Sequence, residues 1–283
     1  MASDGARKLA AAIGRILLFV LLLALGAVAA DAFLSPLLIW IVGRTGQRMR
    51  IDMFVELAAA IAATAIMLRA IDKRSWSDAG LARAAAGVRP MLTGWCIGAA
   101  AIGATCGLLA LMGLLRFYPA AAADGFIGAA VRVTIVLVPA ALAEELICRG
   151  YLLTIVRDRV GVRWAVILTS VMFGLLHLGN PGATAESVLL VTLAGIFLAT
   201  VRVALNSLYA AWMAHLAWNW VMAVPLHAAV SGVRFESPAY QAVTGSPAWV
   251  SGGAWGPEGG LVAGLGMVGG LAYLYTRRRR EES

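Results

Sequence analysis

Glu144 and Glu145 stand side by side in the stretch Ala143-Glu144-Glu145-Leu146-Ile147-Cys148-Arg149-Gly150-Tyr151, inside an otherwise apolar run. A charge at the centre of a bilayer costs at least ~3 kcal/mol on insertion scales, so ionisable residues in such a run need partners and mark functional sites. Further along, His177 and the pair His215 and Asn219 interrupt apolar runs in the same way. Helical spacing sorts these groups. Glu145 and Arg149 are i and i+4 and stack on one face as an ion pair, whereas Glu144 is turned about 100° away and is free to meet another helix. His215 and Asn219 are also i and i+4 and present an imidazole and a carboxamide together. Phe173 lies the same distance before His177 and packs beside it.

A carboxylate beside a histidine can bind and deprotonate a water, which supplies a nucleophile. A second histidine and a carboxamide are donors for the oxyanion of a tetrahedral intermediate, worth ~3 kcal/mol per donor in known cases. Peptide-bond hydrolysis fits this inventory. No Ser stands in a GxSxG setting and no HExxH is present, so the serine and zincin routes lack support. Buried carboxylates and histidines also relay protons in transporters. That alternative predicts discontinuous helices in repeated halves, and the sequence shows no repeat. A non-catalytic membrane scaffold is the other alternative, and the intact set of groups argues against it. Cys148 reads as a small apolar packing residue, His227 as interfacial, and Glu258 as a loop residue with a capping or structural role.

The elements that must position these groups follow from composition. Of 283 residues 61% are hydrophobic and 13% charged, against roughly 25% charged in soluble proteins. The chain is expected to be all-α: a polytopic membrane protein of about eight transmembrane helices in one bundle with an intramembrane active site. A net charge of +8 does not mark nucleic-acid binding, because the Lys and Arg fall in short segments between apolar runs, as the positive-inside rule expects. Cys96, Cys106 and Cys148 lie within predicted spans and show no CxxC spacing, so a disulfide framework is not indicated.

In chain order, an uncleaved first span begins near Ile13 and bends or ends near Phe33, with 34–42 as an apolar extension and 44–50 as a basic loop. Residues 53–71 form the second span, and 72–89 a polar linker with an interfacial turn and short helix at 75–81. Spans follow at 91–115, 126–156, 164–178, 188–203, 208–226 and 260–275, with a basic loop at 157–163 and a long polar loop at 227–258. The divisions are N-terminal helices and linker at 1–90, a catalytic core at 91–226, and a loop with the last helix at 227–283, all in one membrane domain. The basic residues place both termini in the cytoplasm; Arg44, Arg48 and Arg50 run against that orientation. Counted at ~1.5 Å per residue, Glu144, His177 and Asn219 each lie roughly 20 Å from Arg-bearing loops on one side, so the three groups share one depth, nearer the Arg-poor face.

At these residues the chain resembles a known family. Glu144-Glu145-Leu146-Ile147-Cys148-Arg149 is similar to the EExxxR motif, Phe173-Gly174-Leu175-Leu176-His177 to FxxxH, and His215-Leu216-Ala217-Trp218-Asn219 to HxxxN of the CPBP intramembrane proteases. That family includes type II CAAX prenyl endopeptidases and bacterial bacteriocin-processing or immunity-related members. The likeness spans roughly 90–226, and the stretch 249–260 is similar to a segment that follows the third motif in many bacterial members. The resemblance implies an eight-helix core in which Glu144 and His177 activate water, His215 and Asn219 form the oxyanion site, and Glu145 and Arg149 give structural or electrostatic support. It favours a glutamic-type mechanism with no cofactor. It leaves open a zinc site of Glu144, His177 and His215, a ligand set like thermolysin's. The implied partners are a peptide or protein substrate in or at the bilayer and no nucleic acid. An Ala- and Arg-rich chain with short loops suits a bacterial inner membrane, where exported peptides or sorting signals are substrates in place of prenylated ones.

Overall fold

The computed structural model describes residues 2–42, 48–120, 125–235 and 240–282. Apolar runs rich in Ala, Leu and Gly become helices here because in lipid every backbone N–H and C=O must be satisfied within the segment. Helix α1 (Ala2–Val42) runs unbroken through Pro36, so it neither ends nor hands over to a separate segment near Phe33. Proline removes one hydrogen bond of the ladder, and the remaining turns carry the helix on. Within it Ser35 Oγ donates to Asp31 at 2.6 Å. Its exposed Leu17, Val28, Phe33 and Trp40 form an apolar surface suited to lipid. Most of the expected basic loop at 44–50 lies outside the described residues.

Helix α2 (Arg48–Ala65) widens into a π turn at Ile66–Ile71. The linker then forms a 3-10 turn at Trp76–Ala79, opened by a capping box between Ser75 and Asp78, where a turn was expected. Arg74 of this linker is paired with Asp158 at 2.5 Å. Burial pulls the Arg74 guanidinium down, but the hydrogen bond to Asp158 and the carboxylates of Asp72 and Asp78 outweigh it and hold it above its ordinary value.

Helix α3 (Val88–Leu111) packs closely on α7 (Leu208–Ala223). Gly94 and Gly98 permit this: a Cβ at either would lie 2.1 Å from the carbonyl oxygen of Ala210 or Ala214. Such small residues let backbones approach where lipid offers no hydrophobic drive. Strand β1 (Leu115–Pro119) pairs antiparallel with β2 (Tyr240–Thr244), Leu115 opposite Thr244, so the long loop expected at 227–258 is folded onto the helix ends. Helix α4 (Phe126–Glu145) continues through a π turn (Leu146–Leu152) into α5 (Leu153–Leu176). The basic loop expected at 157–163 is helical apart from Gly161, whose φ of 81° breaks the helix; glycine takes that conformation without a Cβ penalty. Helix α6 (Ala185–Ala204) is capped by Thr184, α7 by Ser207, and the single turn α8 (Ala248–Ser251) precedes α9 (Leu261–Glu282).

Five helices among the described residues have the length and composition to cross a membrane: Gly5–Trp40, Ile51–Ile71, Val88–Leu111, Phe126–Gly179 and Ala185–Ala204. The expected count of about eight is not reproduced. At 54 residues the Phe126–Gly179 element would be about 81 Å long if straight, well beyond the ~30 Å of a hydrocarbon core, and the break at Gly161 divides it between the two expected spans. Helix α7, at 16 residues, is shorter than the ~20 that a span needs. Helix α9 carries arginines in its last turn. The largest core cluster joins α3, α4, α6, α7 and α9 around Ile102, Leu137, Phe197, Trp218 and Met267. A second joins α1 and α2 to the π turn, where the Phe19 and Tyr151 rings lie 4.9 Å apart.

Candidate active site

The π turn after α4 sets the geometry. Glu145 is the last residue of α4 and Arg149 lies within the π turn, a form of helix that recurs at functional sites. Arg149 Nη1 donates to Glu145 Oε1 at 2.9 Å, and both side chains have 0% exposure. Arg149 Nη2 reaches the Gly195 carbonyl of α6 at 3.3 Å. Its guanidinium lies 4.1 Å from the centre of the Phe173 ring of α5, within cation–π range. Glu145 Oε1 also accepts from Nδ1 of His215 at 3.0 Å. The expected ion pair is present, and it does more than neutralise itself: it joins α4, α5, α6 and α7.

This network fixes His215. With Nδ1 on Glu145, its Nε2 points toward Glu144, 3.9 Å from Oε2. That Glu144 oxygen is buried and has no hydrogen-bond partner. His177 closes the end of α5 and its Nδ1 donates to the Phe173 carbonyl at 2.8 Å. A carbonyl can only accept, so the proton is on Nδ1 and Nε2 carries the lone pair. The Phe173 ring touches both histidines, at 4.7 Å from His177 and 5.9 Å from His215.

Glu144, His177, His215 and Asn219 line one cavity of about 450 Å³. Phe173, His177, His215 and Asn219 also border an adjoining space of about 20 Å³, the size of a single water site. The structure therefore brings together all seven residues singled out from the sequence. Cys148, read as packing, is buried and lines the same cavity. His227 does not line it; its ring meets Phe126 and Tyr240 edge-on. Glu56 and Ser231, which had no role in the sequence reading, and Glu258, read there as a loop residue with a capping or structural role, also reach this region. Glu56 of α2 and Ser231 line the large cavity, and Ser231 and Glu258 the small one. Glu56 and Glu258 are acidic residues in apolar or Gly-rich surroundings, which is the one signal that could have found them. A larger groove of about 970 Å³ between α3 and α9 holds none of these groups.

The zinc site that the resemblance leaves open would be held by Glu144, His177 and His215. Among the described residues no three His, Cys, Asp or Glu side chains are grouped closely enough to hold a metal ion.

Fold and site define a helical membrane protein whose helices converge polar groups on one buried cavity. Residues 126–221, from α4 to α7 and including all three motifs, match the family model described as type II CAAX prenyl endopeptidase Rce1-like, consistent with the CPBP resemblance. The match is to a family of CAAX-type intramembrane proteases and implies protease activity on a protein substrate. Comparison with curated proteins and with solved structures gives no match.

Proposed function

We propose that the protein is an intramembrane endopeptidase that hydrolyses a peptide bond of a membrane-associated, lipidated or exported protein through a water activated by Glu144 and His177. The observation that carries this reading is the convergence on one cavity of Glu144 from α4, His177 from the end of α5, and His215 and Asn219 from α7. In the proposed reaction Glu144 takes a proton from water, and the oxygen attacks the scissile carbonyl carbon. His177 Nε2, aimed by the Phe173 carbonyl, accepts a hydrogen bond from the same water. His215 Nε2 and the Asn219 carboxamide donate to the oxyanion that forms. Nε2 donates when the His215 ring is doubly protonated, a cation that the Glu145 carboxylate against Nδ1 stabilises. The C–N bond then breaks and Glu144 returns its proton to the leaving amine.

The reading needs no metal ion. It places the protein in a bacterial inner membrane with both termini cytoplasmic, an orientation supported by the distribution of Lys and Arg in the sequence. The test is substrate trapping with Glu144→Gln in proteoliposomes, comparing cleaved membrane peptides with the wild type. Loss of the base is expected to slow cleavage by about 10²-fold or more, and the wild type to keep its activity in chelator. Undiminished processing by E144Q would remove Glu144 from the role of base.

A further inference from the structure

The segment between α7 and α9 carries a tight hairpin against the cavity. Val230 N donates to Val233 O at 2.9 Å and Val233 N to Val230 O at 2.8 Å. The two residues between them both have positive φ, Ser231 at 48° and Gly232 at 81°, as a type I′ turn requires. Glycine adopts this freely, and Gly232 admits nothing else: a Cβ there would lie 1.9 Å from the Pro181 carbonyl oxygen. Serine does not adopt it freely, so the surroundings must over-determine it.

They do so chiefly through one carboxylate. Glu258 Oε1 accepts from Ser231 N at 2.6 Å and from Ser231 Oγ at 2.8 Å. Asn180 Nδ2 donates to Ser231 O at 3.0 Å, and Gly232 N to Trp255 O at 2.9 Å. The other oxygen, Glu258 Oε2, accepts from Trp218 Nε1 at 2.7 Å. Trp218 precedes Asn219 on α7, so a single buried side chain bridges the hairpin and the helix that carries His215 and Asn219. Val230, Ser231 and Val233 line the same cavity as Glu144 and His177.

We propose that Glu258 is a positioning residue: it holds the 230–233 hairpin as the wall against which the substrate lies, and it holds α7 so that His215 and Asn219 face the scissile bond. This rests on the protease reading above. The carboxylate is suited to the task because both of its oxygens accept and all three donors are neutral. A glutamine has one accepting oxygen and one donating nitrogen, so it can serve the hairpin or Trp218 but not both.

Full-length protein in proteoliposomes tests this with two readouts, peptide-cleavage kinetics and hydrogen exchange. S231A weakens only the hairpin side and is expected to raise KM about fivefold with a smaller change in kcat. W218F cuts only the α7 side and is expected to lower kcat about tenfold with a smaller change in KM. E258A does both, and E258Q recovers one of the two effects. The same E258A protein is expected to exchange faster in peptides from 226–235 and 212–221 than in the rest of the chain. Equal kcat and KM in E258A and the wild type would overturn the proposal, as would unchanged exchange in those two segments. Exchange does not depend on turnover. Faster exchange without cleavage of any peptide by the wild type would therefore sink the protease reading while the clamp stood. If E258A fails to fold, S231A and W218F decide: a single shared effect on both kinetic constants would refute the division of labour.

Discussion

On the α4 side of the cavity, three ionisable groups pack with almost no exposure: Arg149 binds Glu145, and Glu145 binds His215. On the loop side, one carboxylate is held by neutral donors, namely Trp218, a serine hydroxyl and a backbone N–H. The difference lies in how each becomes affordable in an apolar setting. Glu145 and Arg149 meet within one helix, so their mutual neutralisation is available as soon as that helix forms. Glu258 meets Trp218 and Ser231 only when the chain after α7 has folded back on α7, so its stabilisation depends on the complete fold. The first arrangement belongs to a rigid core. The second sits on loops, which open locally at lower free energy than packed helices.

The largest effect is expected where charge would be stranded. Arg149→Met leaves Glu145 fully buried beside a histidine alone, and breaking a buried pair in this way costs about 3–5 kcal/mol. Thermal unfolding in detergent should show a correspondingly large drop. The double variant E145L/R149M sharpens the point, because replacing both partners with apolar groups is often close to neutral for stability. It should recover most of the lost stability yet cleave peptide poorly, since His215 Nδ1 loses its acceptor. A double variant as unstable as R149M would show that the pair is not self-contained, and the contrast between the two sides of the cavity would break.

An intermediate effect is expected at the hairpin. Gly232→Ala forces a Cβ to 1.9 Å from the Pro181 carbonyl oxygen at a φ of 81°. Backbone strain and overpacking of this kind cost about 1–3 kcal/mol. Because the hairpin lies on the loop side, the cost should appear as a locally displaced wall. KM should rise while the unfolding midpoint falls by less than in R149M. Equal losses of midpoint in G232A and R149M would mean that the hairpin belongs to the same cooperative core as the charged network.

The difference between the two sides also explains what could be read from the sequence. The all-α membrane class follows from composition. The grouping of Glu145 with Arg149 and of His215 with Asn219 follows from i, i+4 spacing, which is fixed by helix geometry alone. The contact between Glu145 and His215 does not follow from spacing, because it depends on how α4 packs against α7 across 70 residues of intervening chain. Glu258 was legible only as an acidic residue in a glycine-rich loop, since its donors lie 27 and 40 residues away in the chain. The basic run at 157–163 reads as a loop because charge marks the ends of spans, yet arginine is a good helix former and only Gly161 departs from helical geometry. Helix thus extends into the basic run from both flanking spans, and the break at Gly161 keeps the two spans separate.

The smallest effect is expected far from both sides of the cavity. Asp72, at the end of the π turn that closes α2, accepts from Arg15 Nε of α1 at 2.6 Å and from the Tyr151 hydroxyl at 2.7 Å. It thus ties α1 and α2 to the far end of the same π turn that carries Arg149. Its own side chain is 4% exposed but that of Arg15 is 41% exposed, so the ion pair is largely screened and the tyrosine bond is the more protected contact. Asp72→Asn keeps an accepting oxygen for one of the two donors and should cost about 1 kcal/mol. A small decrease in the unfolding midpoint is expected, with cleavage kinetics retained, because no cavity-lining group contacts Asp72 directly. If D72N instead slowed cleavage as strongly as loss of the Glu258 clamp, the π turn would be transmitting the position of α1 to Arg149. The charged side of the cavity would then depend on a long-range tertiary contact just as the loop side does.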